Sequence, residues 1–222
     1  MAVIYRDDFV GAAGSVDGRV NSGLTWAVFG GTCALDGSGN LTISGGGSVY
    51  VDLPASLFDG VSTVHVEVEV TREELGQRLT TKLVLPGGEG YGDSIPDSVV
   101  GIGTLYSSMG IGLGNSYTDD AVAMAPGSNG SAVADAIPRP STHIYRMSMT
   151  AGSPVVSIFK DDTSLGGDAS SVNGNVLAVV DDMRLYLAGD SGVIINYIEV
   201  RDDAVPVASD FWTGFQNTFE VP

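Results

Sequence analysis

Hydrophobic and polar positions alternate most cleanly over residues 61–70, where Val64, Val66, Val68 and Val70 fall on one side and His65, Glu67 and Glu69 on the other. A period of two marks a β-strand with one buried face and one that is wet or faces a site. Apolar runs of similar length predict further strands at residues 3–9, 25–29, 32–35, 41–44, 48–53, 80–85, 99–105, 109–113, 143–150, 154–160, 176–180, 183–188 and 193–201. Gly30-Gly31 and Pro54 are read as strand ends. Asp36-Gly37-Ser38-Gly39-Asn40 is a strong hairpin signal, because Gly and Asn accept positive φ. A second hairpin is expected around Ala151-Gly152-Ser153. Residues 161–175 read as a turn-rich connection. Residues 116–142 carry Pro126, Pro138 and Pro140 and no clear period, so an exposed excursion with one short strand is expected there. No amphipathic helix is visible before residue 205. So many short strands predict an all-β sandwich or jelly roll.

The tail reads differently. After Pro206, Ser209-Asp210 can cap a short helix that places Phe211, Phe215 and Phe219 at helical spacing, with Trp212 beside them. The chain therefore divides into a sandwich over residues 1–203 and a C-terminal aromatic extension over 204–222. That extension either docks on a neighbour or packs back on the sandwich.

Composition narrows the picture. In 222 residues, 43% are hydrophobic, 17% are charged and 31 are Gly, enough apolar material for a core and too much for disorder. The formal net charge of -17 repels phosphate backbones and offers anionic lipid no basic patch, so neither nucleic acid nor membrane is an expected partner. No stretch approaches the ~20 apolar residues of a membrane-spanning helix. Cys33 is the single cysteine, so no internal disulfide can form, and its apolar strand context reads as a core thiol. The first residues lack the basic start and apolar run of a secretory signal.

The stretch Asp8-Phe9-Val10-Gly11-Ala12-Ala13-Gly14-Ser15-Val16-Asp17-Gly18-Arg19, followed by Gly23-Leu24-Thr25-Trp26, resembles the concanavalin A-like, laminin-G-like jelly rolls found in phage structural proteins and bacterial surface proteins. The shared pattern is an Asp-x-Phe strand, a Gly-rich loop, then Gly-x-x-Trp opening the next strand. His143-Ile144-Tyr145-Arg146 with the following hairpin looks like that fold's central strands. Ile194 to Arg201 looks like its final strand, which in such domains lies beside the first. The resemblance spans residues 3–203 and implies a concanavalin A-like jelly-roll β sandwich with a short C-terminal extension. Such domains serve as lectins, glycosidases and plain structural modules, so the fold leaves the function open.

The chemistry must therefore come from side chains. Hydrolysis of a glycosidic bond needs two carboxylates flanking it. Glu67 and Glu69 share a strand face roughly 7 Å apart along it, but glucanases of this fold that carry Glu-x-Asp-x-x-Glu on one strand would need an acid at Arg72, with Glu73 and Glu74 only nearby. Nucleophilic catalysis is disfavoured too, since His65 and His143 both lie in predicted strands and no Gly-x-Ser-x-Gly elbow is present. Two histidines and one cysteine make a structural zinc site improbable. Calcium is a candidate ligand through five Asp-Asp pairs at residues 7–8, 119–120, 161–162, 181–182 and 202–203, the alternative being solvated loop acids. Tyr91 and Tyr117 are loop aromatics of the kind that stack on sugars, or that pin their own loops.

Three readings follow. The first is a non-catalytic phage virion structural protein, a capsid-decorating or tail-associated module made in the host cytoplasm. It would dock through Phe211, Trp212, Phe215 and Phe219 on other virion proteins or on copies of itself. The second is a lectin-like module recognising a cell-surface glycan through Tyr91 or Tyr117, with calcium as a candidate aid. The third is a divergent glycoside hydrolase using Glu67 and Glu69. No catalytic residue and no metal ligand is assigned.

Overall fold

The computed structural model describes residues 2–73, 77–84, 109–113, 121–125, 132–134, 140–150, 156–168 and 182–203. Among them, one turn of 3-10 helix at Ala55–Phe58 follows Pro54, and the rest is strand and turn. The strands are β1 (Val3–Asp7), β2 (Gly14–Ser15), β3 (Val20–Asn21), β4 (Leu24–Leu35), β5 (Leu41–Leu53), β6 (Thr63–Arg72), β7 (Arg78–Val84), β8 (Met109–Leu113), β9 (Ala121–Ala125), β10 (Ala132–Ala134), β11 (Ser141–Thr150), β12 (Val156–Lys160), β13 (Thr163–Asp168), β14 (Met183–Asp190) and β15 (Val193–Asp202). Hydrogen bonding runs in the order β13-β12-β11-β6-β15-β5-β14-β7-β8-β9-β10, with β1 beside β15 and β4 beside β5. All pairings are antiparallel, and the first strand lies beside the last, as the resemblance implies.

This path doubles over on itself because β5 changes partner along its length. Its first residues, Leu41–Ile43, pair with β15, and Gly47–Leu53 pair with β14. β4 follows β5 through the corner, with register shifts at Val28/Gly30 and Gly30/Thr32. Strands that bend between sheets in this way form the corners of sandwiches. The bend depends on glycine. Gly31 holds φ at 62°, and a Cβ there would lie 2.4 Å from Gly47 Cα. A Cβ on Gly47 would lie 2.7 Å from the Thr32 carbonyl oxygen. Gly30-Gly31 therefore does not end a strand, as its breaker character suggests. The expected segments 25–29 and 32–35 are halves of β4, and 41–44 and 48–53 are halves of β5.

The core lies between the two layers. Val64, Val66, Val68 and Val70 of β6 are buried, as their alternation predicts, and meet Val49 and Val51 of β5 and Leu185 and Leu187 of β14 in one apolar cluster. Each such side chain contributes roughly 1.5–3 kcal/mol on burial. β15 needs a correction of phase to join them. A shift between Ile195 and Tyr197 inserts one residue, so that Val193 and Ile195 before it and Ile198 and Val200 after it all face the core. Tyr197, Glu199 and Arg201 are thereby turned outward.

Two connections differ from expectation. Asp161 and Asp162 take φ of 47° and 62°, a tight hairpin that pairs β13 with β12 where a loop was expected. Within 116–142, β9 and β10 pair with each other where one short strand was expected. The expected hairpin at 36–40 is present, with the Asp36 carboxylate accepting from the Ser38 and Asn40 backbone N–H and from Asn40 Nδ2. The expected strands at 99–105 and 176–180 and the extension over 204–222 lie outside the described residues.

The N-terminal motif that carries the resemblance is a structural lock. Asp7 is wholly buried and accepts from Trp26 Nε1 at 2.8 Å, the Phe9 backbone N–H at 2.7 Å, and Arg19 Nη2 at 2.9 Å. Arg19 also donates to the Val10 carbonyl. Phe9 takes φ of 52° to place its ring 5.8 Å from Trp26. The spacing of Asp, Phe, Gly-rich loop and Trp thus lets one carboxylate tie the first strand, the loop and β4 to the core.

Candidate functional site

The outward side of the β11-β6-β15-β1 layer carries the densest chemistry among the described residues. Register places Arg146, Glu67, Glu199 and Arg6 in one row across the four strands. The two carboxylates are therefore cross-strand neighbours, and although they face away from the apolar core they are only 8% and 5% exposed. Like charges this close repel, and arginines relieve the repulsion. Arg201 bridges the pair, its Nη2 in an ion pair 2.9 Å from Glu67 Oε2 and its Nη1 donating to Glu199 Oε1 at 3.2 Å. Glu199 Oε2 accepts from Arg6 at 2.8 Å, and Glu67 Oε1 accepts from the Tyr197 hydroxyl at 2.6 Å. Every oxygen of both carboxylates has a hydrogen-bond or ion-pair partner.

Burial and the adjacent Glu67 carboxylate raise the Tyr197 phenol well above its ordinary range, so it stays protonated and donating. Arg6 lies 4.3 Å over the Tyr197 ring and also binds Asp8. Its hydrogen bonds to Asp8 and Glu199 hold its proton still more firmly. Arg146 reaches Asp162 at 2.6 Å and lies 4.4 Å over the Phe159 ring. The side of β6 that its alternation marks as wet is thus roofed by arginine and tyrosine. Glu67 works with Glu199, a residue its own strand could not reveal, and Glu69 is only half-buried beside them.

One row further along, Arg201, His65, Ser148 and Ser157 are cross-strand partners. His65 Nδ1 is 2.6 Å from Ser148 Oγ, and its Nε2 is 2.6 Å from Asp203 Oδ1. Sequence reasoning placed His65 on a strand and left it there. Neither partner is local, since they are 83 and 138 residues away. The available signal was the outward phase of Ser148 and Arg146 on the 143–150 strand.

On the other layer, Arg184 grips Asp52 through Nε at 2.7 Å and Nη2 at 3.0 Å, with its guanidinium 3.7 Å over Tyr50. Tyr50 pairs with Ala27 of β4, and two residues on, at the register shift, Phe29 is 64% exposed. A bulge of this kind re-aims a side chain.

The other candidate residues are distributed widely. Asp161 meets His143 Nδ1 and the Ile144 N–H, Asp182 accepts from the Ala55 N–H and Asp202 from the Ala2 N–H. No group of three or more His, Cys, Asp or Glu converges as a metal site among the described residues. Cys33 is a buried free thiol, pushed up to about 11 by burial. Asp119, Asp120, Asp181, Glu74, Tyr91, Tyr117, Phe211, Trp212, Phe215 and Phe219 lie outside the described residues.

The architecture is that of the concanavalin A-like β sandwiches. A glycosyl hydrolase family protein from Mycobacterium fortuitum superposes over 90% of this chain and 100% of its own, with a TM-score of 0.56 and 16% identity. The carbohydrate recognition domain of Emp47p covers 90% and 96%, with a TM-score of 0.55 and 8% identity. An immunostimulatory antigen and pseudo β-1,3-glucanase of Mycobacterium tuberculosis covers 90% and 98%, with a TM-score of 0.53 and 14% identity. At these identities the likeness is one of fold. No family model matches the sequence, and no curated protein matches it.

Proposed function

We propose that the chain is a carbohydrate-binding module of the lectin-like kind that does not cleave glycosidic bonds. One observation carries the reading: the Glu67/Glu199 pair has all four oxygens engaged by Arg6, Arg201 and Tyr197. A general acid must hold a transferable proton and a nucleophile must present a free lone pair. A pair closed in this way does neither, so the divergent-hydrolase reading, which rests on Glu67 and Glu69, loses Glu67. The carbohydrate part of the proposal draws on the fold neighbours, which include a carbohydrate recognition domain and a pseudo-glucanase. The surface proposed for it is the exposed Phe29 together with Tyr50 on the neighbouring strand, whose ring lies under the Arg184 guanidinium that also grips Asp52. Sugars present flat C–H faces rimmed by hydroxyls, which such a surface complements. Tyr91 and Tyr117 remain proposed platforms on the same reading, with calcium as a proposed aid.

A glycan array tests this directly. Saturable binding to at least one neutral glycan that Phe29→Ala or Tyr50→Ala weakens at least tenfold supports the assignment; an array blank for the folded wild type removes it. The virion-module reading gains nothing from the neighbours named above, none of which is a phage protein, and its docking aromatics lie outside the described residues. Light scattering of the full chain and of a chain ending at Asp203 separates it, since assembly lost on truncation is what it alone requires.

A further inference from the structure

The relay through His65 is the part of the outward face that the carbohydrate reading leaves unused. Three residues, from β6, from β11 and just past β15, meet in the order serine, imidazole, carboxylate, with both hydrogen bonds at 2.6 Å. For Nδ1 to accept from Ser148 Oγ, Nε2 must carry the ring proton, and Asp203 is placed to accept it. That tautomer and order are what an activated serine requires: a base within hydrogen-bond reach of the hydroxyl, and a third group orienting the base.

The ground around Ser148 suits a small electrophile. Its row continues to Ser157 on β12 and Gly167 on β13, so side chains beside Oγ shrink to a hydroxymethyl and then to none. The neighbouring row, with Arg146 and Phe159, forms one wall. Arg146 precedes Ser148 by two residues on the same face, its Nη1 held by Asp162. Arg201, the cross-strand partner of His65, adds a second positive charge. Charge developing on a carbonyl oxygen at Ser148 would feel the field of these two guanidinium groups, each of which also serves acids, Arg146 at Asp162 and Arg201 at Glu67 and Glu199.

The geometry points to Ser148 as the nucleophile of an esterase-type site for small O-acyl esters of the O-acetyl kind, with His65 as its base and Asp203 as the positioning residue. This departs from the expectation that the chain has no catalytic machinery, and it is independent of the carbohydrate reading. Ser148 Oγ bonds to the carbonyl carbon while its proton passes to His65 Nδ1 and the C=O electron pair moves to oxygen. Collapse of that intermediate breaks the bond to the alcohol, which leaves with the proton from Nδ1. Water, deprotonated by the same imidazole, then adds to the acyl carbon and expels Ser148 Oγ, which recovers its proton. The net change is ester plus water to carboxylic acid plus alcohol.

The test uses the full chain, a fluorophosphonate probe with peptide mapping, and p-nitrophenyl acetate turnover. The expected result is one adduct on Ser148, absent in Ser148→Ala and slowed about a hundredfold or more in His65→Gln, the usual worth of a general base. Asp203 is exposed and follows the last residue of β15, so Asp203→Asn should fold even if the His65 variant does not. It should slow labelling at least tenfold, and Asp203→Glu should recover part of the loss, which a purely structural role would not require. Ser38→Ala, in the hairpin between β4 and β5, should label as wild type does. A folded wild-type chain with no adduct, an adduct on another serine, or equal labelling in wild type and Asp203→Asn would each overturn the assignment.

Discussion

The N-terminal corner and the outward face of the β6 layer use the same parts, carboxylates held by arginine beside an aromatic donor, to different ends. At the corner one carboxylate, Asp7, is wholly buried and ties together three pieces of chain through Trp26, Phe9 and Arg19. On the face, two carboxylates share three arginines and Tyr197, the charges nearly balance, and the network reaches exposed acids at Asp8 and Asp162. The first arrangement concentrates its energy in one residue. The second spreads it, so that no single member should be indispensable, and it withdraws Glu67 and Glu199 from chemistry.

That contrast can be broken at its strong end first. Asp7→Ala leaves the Trp26 and Phe9 N–H groups and the Arg19 guanidinium without their acceptor, and removing one partner of a buried ion pair costs about 3–5 kcal/mol. Urea denaturation should show that loss, a large share of the ~5–15 kcal/mol of a typical domain. Gly31→Ala, which must relieve both a positive φ and a 2.4 Å approach to Gly47, should cost at least ~1–3 kcal/mol in the same assay. On the face, Glu67→Gln should cost only about 1–2 kcal/mol, since the amide still accepts from Tyr197 and Arg6 still neutralises Glu199. A loss as large as that of Asp7→Ala would erase the distinction.

Titration gives smaller effects. The Cys33 thiol, pushed up to about 11 by burial, is neutral in the fold and ionises nearer ~8.5 once unfolded. Its contribution is therefore complete below that unfolded value and is lost as pH rises towards 11. Iodoacetamide should modify the native chain at pH 8 far more slowly than the unfolded one. The smallest effect concerns Asp161. Burial raises its carboxyl, but the Ile144 N–H and His143 outweigh that and leave it below the usual range. Its contribution is present above the unfolded ~3.9 and fades as pH falls through the lower folded value. Because the pair is exposed, Asp161→Asn should cost under ~1 kcal/mol at pH 7.

Much of the fold was legible in the sequence because strands announce themselves locally. The phase of Val64, Val66, Val68 and Val70, the turn chemistry of Asp36 to Asn40, and the Asp-Phe-Gly-Trp spacing each depend on neighbours in the chain. The glycine tracts misled because breaking a strand and bending it use the same residue, and only the close approach of Gly31 to Gly47 separates the two. The candidate sites were much less legible. Tyr197 reaches Glu67 across 130 residues, and the one-residue insertion after Ile195 decides which of its neighbours face outward. A single sequence carries no mark of either until the sheet is assembled.

Native affinity electrophoresis in gels cast with β-1,3-glucan and a panel of other neutral polysaccharides tests the central claim most directly, since one gel reports both binding and cleavage. The account predicts that the chain is retarded in at least one of these gels and leaves its polysaccharide uncut. Unretarded migration in all of them, or a cleared zone of hydrolysis around the band, would contradict it.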